Sequence, residues 1–224
     1  MFNVKDIEYA RRIARHISFP EQFGMDEDMD TSGYEYQLED VIDGDYFVTC
    51  GVSKLVIVVG DLPFVIKVSF NGAWAYNWDD SENYFYKFTQ ANSDFGDDYC
   101  ADELSATISL KDEGFGKFVP DMMWLGKYNG HDFFVQMKAK PLCDIKKLNA
   151  TPDSLAKVAL SNKSVFRDDW LALVYDFYGE DEWNRFIEWA RAYEPEILAD
   201  MHHGNYGIDK EGRPVLIDIS GFRD

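Results

Sequence analysis

The strongest constraint on the fold lies in residues 45–70, DYFVTCGVSKLVIVVGDLPFVIKVSF. β-branched and aromatic residues dominate this run, and Gly60-Asp61-Leu62-Pro63 breaks it with a turn signal between two apolar stretches. The pattern predicts strands at about 46–50, 54–59 and 64–70, antiparallel and hairpin-linked. A second hairpin follows in VPDMMWLGKYNGHDFFVQMKAK, where Asn129-Gly130 is a favoured two-residue turn. Between the hairpins, NGAWAYNWDDSENYFYKFTQ reads as an irregular aromatic stretch, and DDYCADELSATISLKDEG reads as a helix ending at Gly114.

Texture changes on either side of this block. Residues 4–17 have an amphipathic period, with Val4, Ile7, Ile13 and Ile17 on about one face, and Pro20 ends that helix. The acidic segment 21–45 reads as a solvated connector or a short helix. After residue 142 the pattern turns helical. Thr151-Pro152-Asp153 combines a capping residue with proline at the first helical position. DDWLALVYDFY stops at Gly179, with Trp170, Leu173, Val174 and Phe177 as its core stripe. EDEWNRFIEWARAY has acids in its first turn and Arg191 in its last, as the helix dipole favours, and Pro195 closes it. The expected class is α+β, with an N-terminal helix and acidic connector over 1–44, a β-rich lobe over 45–142 and a short helical lobe over 143–224.

Composition narrows the function. With 46% hydrophobic and 16% aromatic residues, the chain can bury a sizeable core. The net charge of −19 argues against nucleic-acid binding through a basic surface, and fits either a solvated acidic face or a surface aimed at a basic partner. No apolar run reaches the length of a membrane span and the N-terminus is charged throughout, so neither a transmembrane segment nor a signal peptide is expected. Cys50, Cys100 and Cys143 are scattered and odd in number, which suits a reducing cytoplasm.

Chemistry concentrates in ILADMHHGNYGIDKEGRPVLIDISGFRD, residues 197–224. A turn at Lys210-Glu211-Gly212-Arg213 folds VLID back beside YGI, so Asn205 and Asp218 can face one point. An amide oxygen and a carboxylate converging there suit Mg²⁺, a hard cation. Asp200 could accept a proton from an attacking hydroxyl. Asn and Asp are also common in turns for backbone reasons alone. His202 and His203 are adjacent with no cysteine or third histidine close in sequence, which is a poor zinc site.

The order Asp200-Met201-His202-His203-Gly204-Asn205, then Leu216-Ile217-Asp218-Ile219-Ser220-Gly221, resembles the catalytic and metal-binding loops of the protein-kinase-like superfamily. The D-x-H-x-G-N form is similar to that of small early-expressed bacteriophage serine/threonine kinases and of the aminoglycoside and choline phosphotransferases. The resemblance spans roughly residues 45–222 and implies a two-lobed kinase-like fold: an antiparallel β N-lobe with one main helix, and a truncated helical C-lobe. It assigns Asp200 as catalytic base, Asn205 and Asp218 as Mg²⁺ ligands, and His202 to a position near the transferred phosphate. Lys67, in Val65-Ile66-Lys67, falls where such enzymes hold the ATP phosphates. Its acidic partner would be Glu103, beside the apolar pair Leu104 and Ile108, with Glu82 as the alternative. Gly51 and Ser53, with Lys54, would form the phosphate loop, and the backbone of Gln136, Met137 and Lys138 would contact adenine.

The sequence also departs from the family. One glycine stands where a glycine-rich loop is usual, Leu198-Ala199 precede Asp200 in place of a bracing histidine, and no activation segment follows Asp218. The implied function is an ATP- and Mg²⁺-dependent phosphotransferase, a compact serine/threonine protein kinase acting on host proteins. One alternative is a non-catalytic kinase-like binder that inhibits a basic host partner through its acidic surface. Another is a small-molecule kinase.

Overall fold

The computed structural model describes residues 2–19, 31–50, 54–69, 74–79, 84–90, 99–161, 167–199, 201 and 204–219, with the backbone alone over 74–79 and 84–90 and at 161, 196 and 199. The chain divides into two compact units, Met1–Leu104 with Asp121–Met137 and Ser105–Pro120 with Lys138–Asp224.

The first unit opens with helix α1 (Val4–His16), capped by the Asn3 side chain, which accepts from the Asp6 amide at 2.9 Å. Its buried stripe is Ile7, Ala10, Ile13 and Ala14, while Val4 in the first turn is exposed. A short helix α2 (Ser32–Leu38) follows, so part of the acidic segment is helical. Strands β1 (Tyr46–Cys50), β2 (Lys54–Val59) and β3 (Phe64–Ser69) then run antiparallel at the expected positions. The aromatic stretch expected to be irregular instead holds a separate antiparallel pair, β4 (Trp74–Asp79) and β5 (Tyr84–Gln90). The physical reason is visible in the letters. Trp74, Tyr76 and Trp78, and then Tyr84, Tyr86 and Phe88, alternate with period two.

Helix α3 (Tyr99–Asp112) comes next. It ends in a double closure: the Phe115 amide donates to Leu110 C=O at 2.7 Å and the Gly114 amide to Lys111 C=O at 3.1 Å. That geometry needs the left-handed φ of +83° at Gly114. Strands β6 (Met122–Tyr128) and β7 (His131–Met137) close the sheet in the order β1-β2-β3-β7-β6. Their turn places Asn129 and Gly130 at φ 51° and 87°, as a primed hairpin turn requires. The Asn129 amide also donates to the carbonyl of Ile17 at 2.6 Å, tying the turn to the end of α1.

The two faces of this sheet differ in chemistry. Leu55, Ile57, Val59, Phe64, Ile66, Val68, Phe133 and Val135 form one core with the α1 stripe. Side chains alternate along a strand. Lys54, Lys67, Ser69, Phe134 and Gln136 are therefore on the other face, where α3 covers them through Cys100 and Glu103.

In the second unit β8 (Ala139–Pro141) leads to four helices, α4 (Pro152–Ser161), α5 (Asp168–Tyr178), α6 (Glu180–Tyr193) and α7 (Pro195–Ala199), then β9 (Tyr206–Asp209) and β10 (Pro214–Leu216). Thr151 caps α4, its hydroxyl accepting from the Ser154 amide at 3.3 Å. Helix α5 is buried nearly all round, from Trp170 to Tyr175, whereas Phe177, placed in the core stripe above, is exposed. The core is aromatic: Trp170 and Trp183 meet edge to face at 5.7 Å, and Phe118, Phe186 and Tyr206 adjoin them. No helix among the described residues is long and apolar enough to cross a membrane.

Candidate functional site

The first unit carries a buried charge cluster. Lys67 lies on β3 and Glu103 on α3, and the Lys67 ammonium donates to both carboxylate oxygens, at 2.8 and 2.9 Å. Two further donors converge on the same carboxylate. Lys54 of β2 reaches Oε2 at 3.1 Å, and the Gln136 side-chain amide of β7 reaches Oε1 at 2.7 Å. Glu103 is 0% exposed, and Lys54, Lys67 and Gln136 are each 5% exposed or less. Hairpin register accounts for the convergence. Lys54 faces Ser69 and Val56 faces Lys67, so the two lysines are diagonal neighbours on one face. Gln136 faces Val65 across the next ladder, two residues from Lys67 along β3.

The apolar stripe expected beside Glu103, through Leu104 and Ile108, is not what buries it. Ile108 is exposed, and the buried face of α3 is Cys100, Glu103, Thr107 and Leu110. The acid itself occupies a core position, because three donors on the sheet replace its water. The start of α3 is docked separately: the Cys100 amide donates to the Ser69 hydroxyl at 2.9 Å. Burial pushes the Cys100 thiol up to about 12 against the pull of the Lys54 ammonium; Glu103 adds to the rise, and Ser69 and Lys67 offset it. This thiol is a neutral core residue, not a nucleophile.

The residues expected to contact adenine differ among themselves. Gln136 uses its side chain within the cluster. The Met137 amide donates to the Asp121 carbonyl at 2.8 Å, so that donor is already engaged in the fold. Lys138 is the first residue of the second unit's later segment and is half-buried.

The second unit carries Asn205 and Asp218, the two residues expected to offer oxygens to Mg²⁺. β9 and β10 pair antiparallel with Tyr206 facing Leu216, and β8 flanks β9. The Ile217 amide donates to the Asn205 backbone carbonyl at 2.8 Å, one rung beyond the ladder. Asn205 and Asp218 therefore sit at the same end of one hairpin. Each is anchored by apolar neighbours: Tyr206 beside Asn205 stacks on Trp170 at 4.8 Å, and Leu216 and Ile219 flank Asp218 in the core. Asn205 is buried and Asp218 half-buried. At the opposite end, Asp209 holds the turn by accepting from the Glu211 and Arg213 amides at 3.0 and 2.8 Å.

Gly207 lies within β9. Its reason is close approach. A Cβ there would meet the Lys140 carbonyl oxygen of β8 at 2.6 Å and an Ile217 methyl at 3.3 Å. The Trp170 indole also donates to the Gly207 carbonyl at 3.2 Å. Side-chain bulk is thus excluded beside the residues that carry the oxygens. An amide oxygen and a carboxylate form a hard donor set, which fits Mg²⁺ and not a soft transition metal.

Asp200, His202, Gly51 and Ser53, together with the alternative Glu82, lie outside the described residues. The contributions of Lys54 and the Gln136 side chain to the Glu103 cluster were not anticipated. A signal for Lys54 existed: a hairpin centred on Asp61-Leu62 pairs position 54 with 69 and so sets Lys54 diagonal to Lys67.

No protein-family model matches the chain, and no curated protein sequence does. Solved structures that match include the Rio2 kinase from Chaetomium thermophilum, in a complex with ADP, Mg²⁺ and phosphoaspartate. It is 12% identical, with 98% of this chain and 73% of that chain covered and a TM-score of 0.39. At that identity and score the likeness carries no weight. The chain's own organisation is α+β, a unit rich in antiparallel strands followed by a largely helical unit.

Proposed function

We propose that this protein is an ATP- and Mg²⁺-dependent phosphotransferase, a compact serine/threonine protein kinase that modifies host proteins. One observation carries the reading: a lysine on the third strand of an antiparallel sheet, held through both carboxylate oxygens by a glutamate of the helix that follows. Protein kinases use such a pair to hold nucleotide phosphates. Glu103 orients Lys67, and the Lys67 ammonium neutralises phosphate charge. Asn205 and Asp218 supply oxygens for Mg²⁺, which when bound offsets the charge of the phosphates. Asp200 orients the substrate hydroxyl and accepts its proton. Positioning and charge neutralisation would supply most of the rate. The preference for protein hydroxyls and host targets rests on the resemblance of the D-x-H-x-G-N form to the phage kinases.

A second reading, a non-catalytic kinase-like binder, draws on the engaged Met137 amide, which removes one donor from the expected adenine contact. Incubation with γ-labelled ATP, Mg²⁺ and cell lysate separates the two. Label on proteins that is lost in Lys67→Ala and Asp200→Ala supports the kinase. Label confined to small metabolites supports a small-molecule kinase. No label, with the same captured partner in wild type and both variants, supports the binder.

A further inference from the structure

Glu103 makes more bonds than a pair with Lys67 needs. Its two oxygens accept four hydrogen bonds, two each, from donors on three different strands. Only two of the four come from Lys67. If the Lys67 ammonium turns toward an anion, Lys54 still holds Oε2 and Gln136 still holds Oε1. The carboxylate then keeps its place, and with it the register of α3 on the sheet, which the Cys100–Ser69 bond secures one turn earlier. Burying a lysine and a glutamine at such a point is costly unless the contact is used.

We propose that Lys54 and Gln136 are positioning residues that lock the Lys67–Glu103 pair, so that the phosphate-binding cation is assembled before any ligand or partner arrives. This inference rests on the phosphotransferase reading above and deepens it: α3 needs no docking signal, and the site is built in its competent form.

Calorimetric affinities for Mg-ATP and for adenosine test it, because only ATP senses Lys67 through its phosphates. Lys54→Met and Gln136→Leu keep volume and remove one donor each. Each should weaken ATP binding by about tenfold, the scale of one lost hydrogen bond to a charged group. Adenosine affinity should stay unchanged, and Lys54→Arg should recover most of the loss. Positioning through Lys67 also predicts non-additivity. Gln136→Leu combined with Lys67→Met should bind ATP no more weakly than Lys67→Met alone. Should Lys54→Met fail to fold, Gln136→Leu and its double variant carry the test. An unchanged ATP-to-adenosine ratio in the folded variants overturns the lock, as does an additive double variant, which would mean direct contact with the nucleotide. A wild-type protein that binds neither ligand overturns the phosphotransferase reading itself, and the lock with it.

Discussion

Removing Glu103 should cost far more stability than removing either lysine that it holds. Glu103→Ala takes the shared acceptor from two buried ammonium groups and a buried amide, and the carboxylate is 0% exposed. Deleting one member of a buried ionic cluster in this way costs about 4 kcal/mol. Lys67→Met is different in kind. It leaves the carboxylate with Lys54 on one oxygen and Gln136 on the other, and it puts an apolar chain in the same space. Its cost should be about 1–2 kcal/mol, because both carboxylate oxygens keep a donor after the two Lys67 bonds are lost. Urea unfolding at neutral pH reads the difference. With a slope of about 2 kcal/mol per molar, the midpoint should fall by about 2 M for Glu103→Ala and by less than about 1 M for Lys67→Met. Equal shifts for the two variants, or a loss below about 1.5 kcal/mol for Glu103→Ala, would refute the picture of a carboxylate held from three strands.

Gly207→Ala should destabilise the protein by about 2 kcal/mol through overpacking, since its Cβ would sit 2.6 Å from the Lys140 carbonyl oxygen; an unchanged melting temperature contradicts this. Asn129→Ala should cost about 1–2 kcal/mol, because alanine resists the φ of 51° and the bonds to the Ile17 and Arg15 carbonyls are lost; Asn129→Gly should recover only the backbone part. His131 supplies a pH dependence. Burial holds its imidazole below the usual range, Lys127 adds to that, and Asp132 opposes it. A folded value below the unfolded one means that the neutral ring's contribution is complete above about pH 6.5 and is lost as pH falls from there through the folded value. Urea midpoints should therefore drop between about pH 7 and pH 5.5 in wild type and drop less in His131→Phe.

The parts legible in the sequence are those fixed by local chemistry. β1, β2 and β3 fall where β-branched runs and Gly60-Asp61-Leu62-Pro63 put them, and Asn129-Gly130 sets the β6–β7 turn because few residues accept positive φ. The β9–β10 hairpin was legible from its turn residues in the same way. The parts missed depend on partners distant in the chain. Helix α3 does not present an apolar stripe to its neighbours, because its buried face includes Glu103, which only the three strand donors make tolerable. The need for glycine at 207 is not legible locally, because β8, whose backbone it must admit, lies far upstream. Phe177 shows the converse, an aromatic residue in the right helical phase that lies beyond the covered length of α5. Lys67 and Glu103 were chosen from the sequence, and the fold brings them into contact.

The proposed function requires that a magnesium nucleotide be held, with Lys67 for its phosphates and Asn205 and Asp218 for its metal. The most direct measurement is the melting temperature with and without Mg-ATP, since a ligand bound to the native state must stabilise it. Wild type should melt higher with Mg-ATP than with ATP and a chelator. The shift should vanish in Asp218→Ala and shrink in Lys67→Met, with both variants folded when ligand-free. A wild-type melting temperature that ignores Mg-ATP, or an Asp218→Ala shift equal to that of wild type, would contradict it.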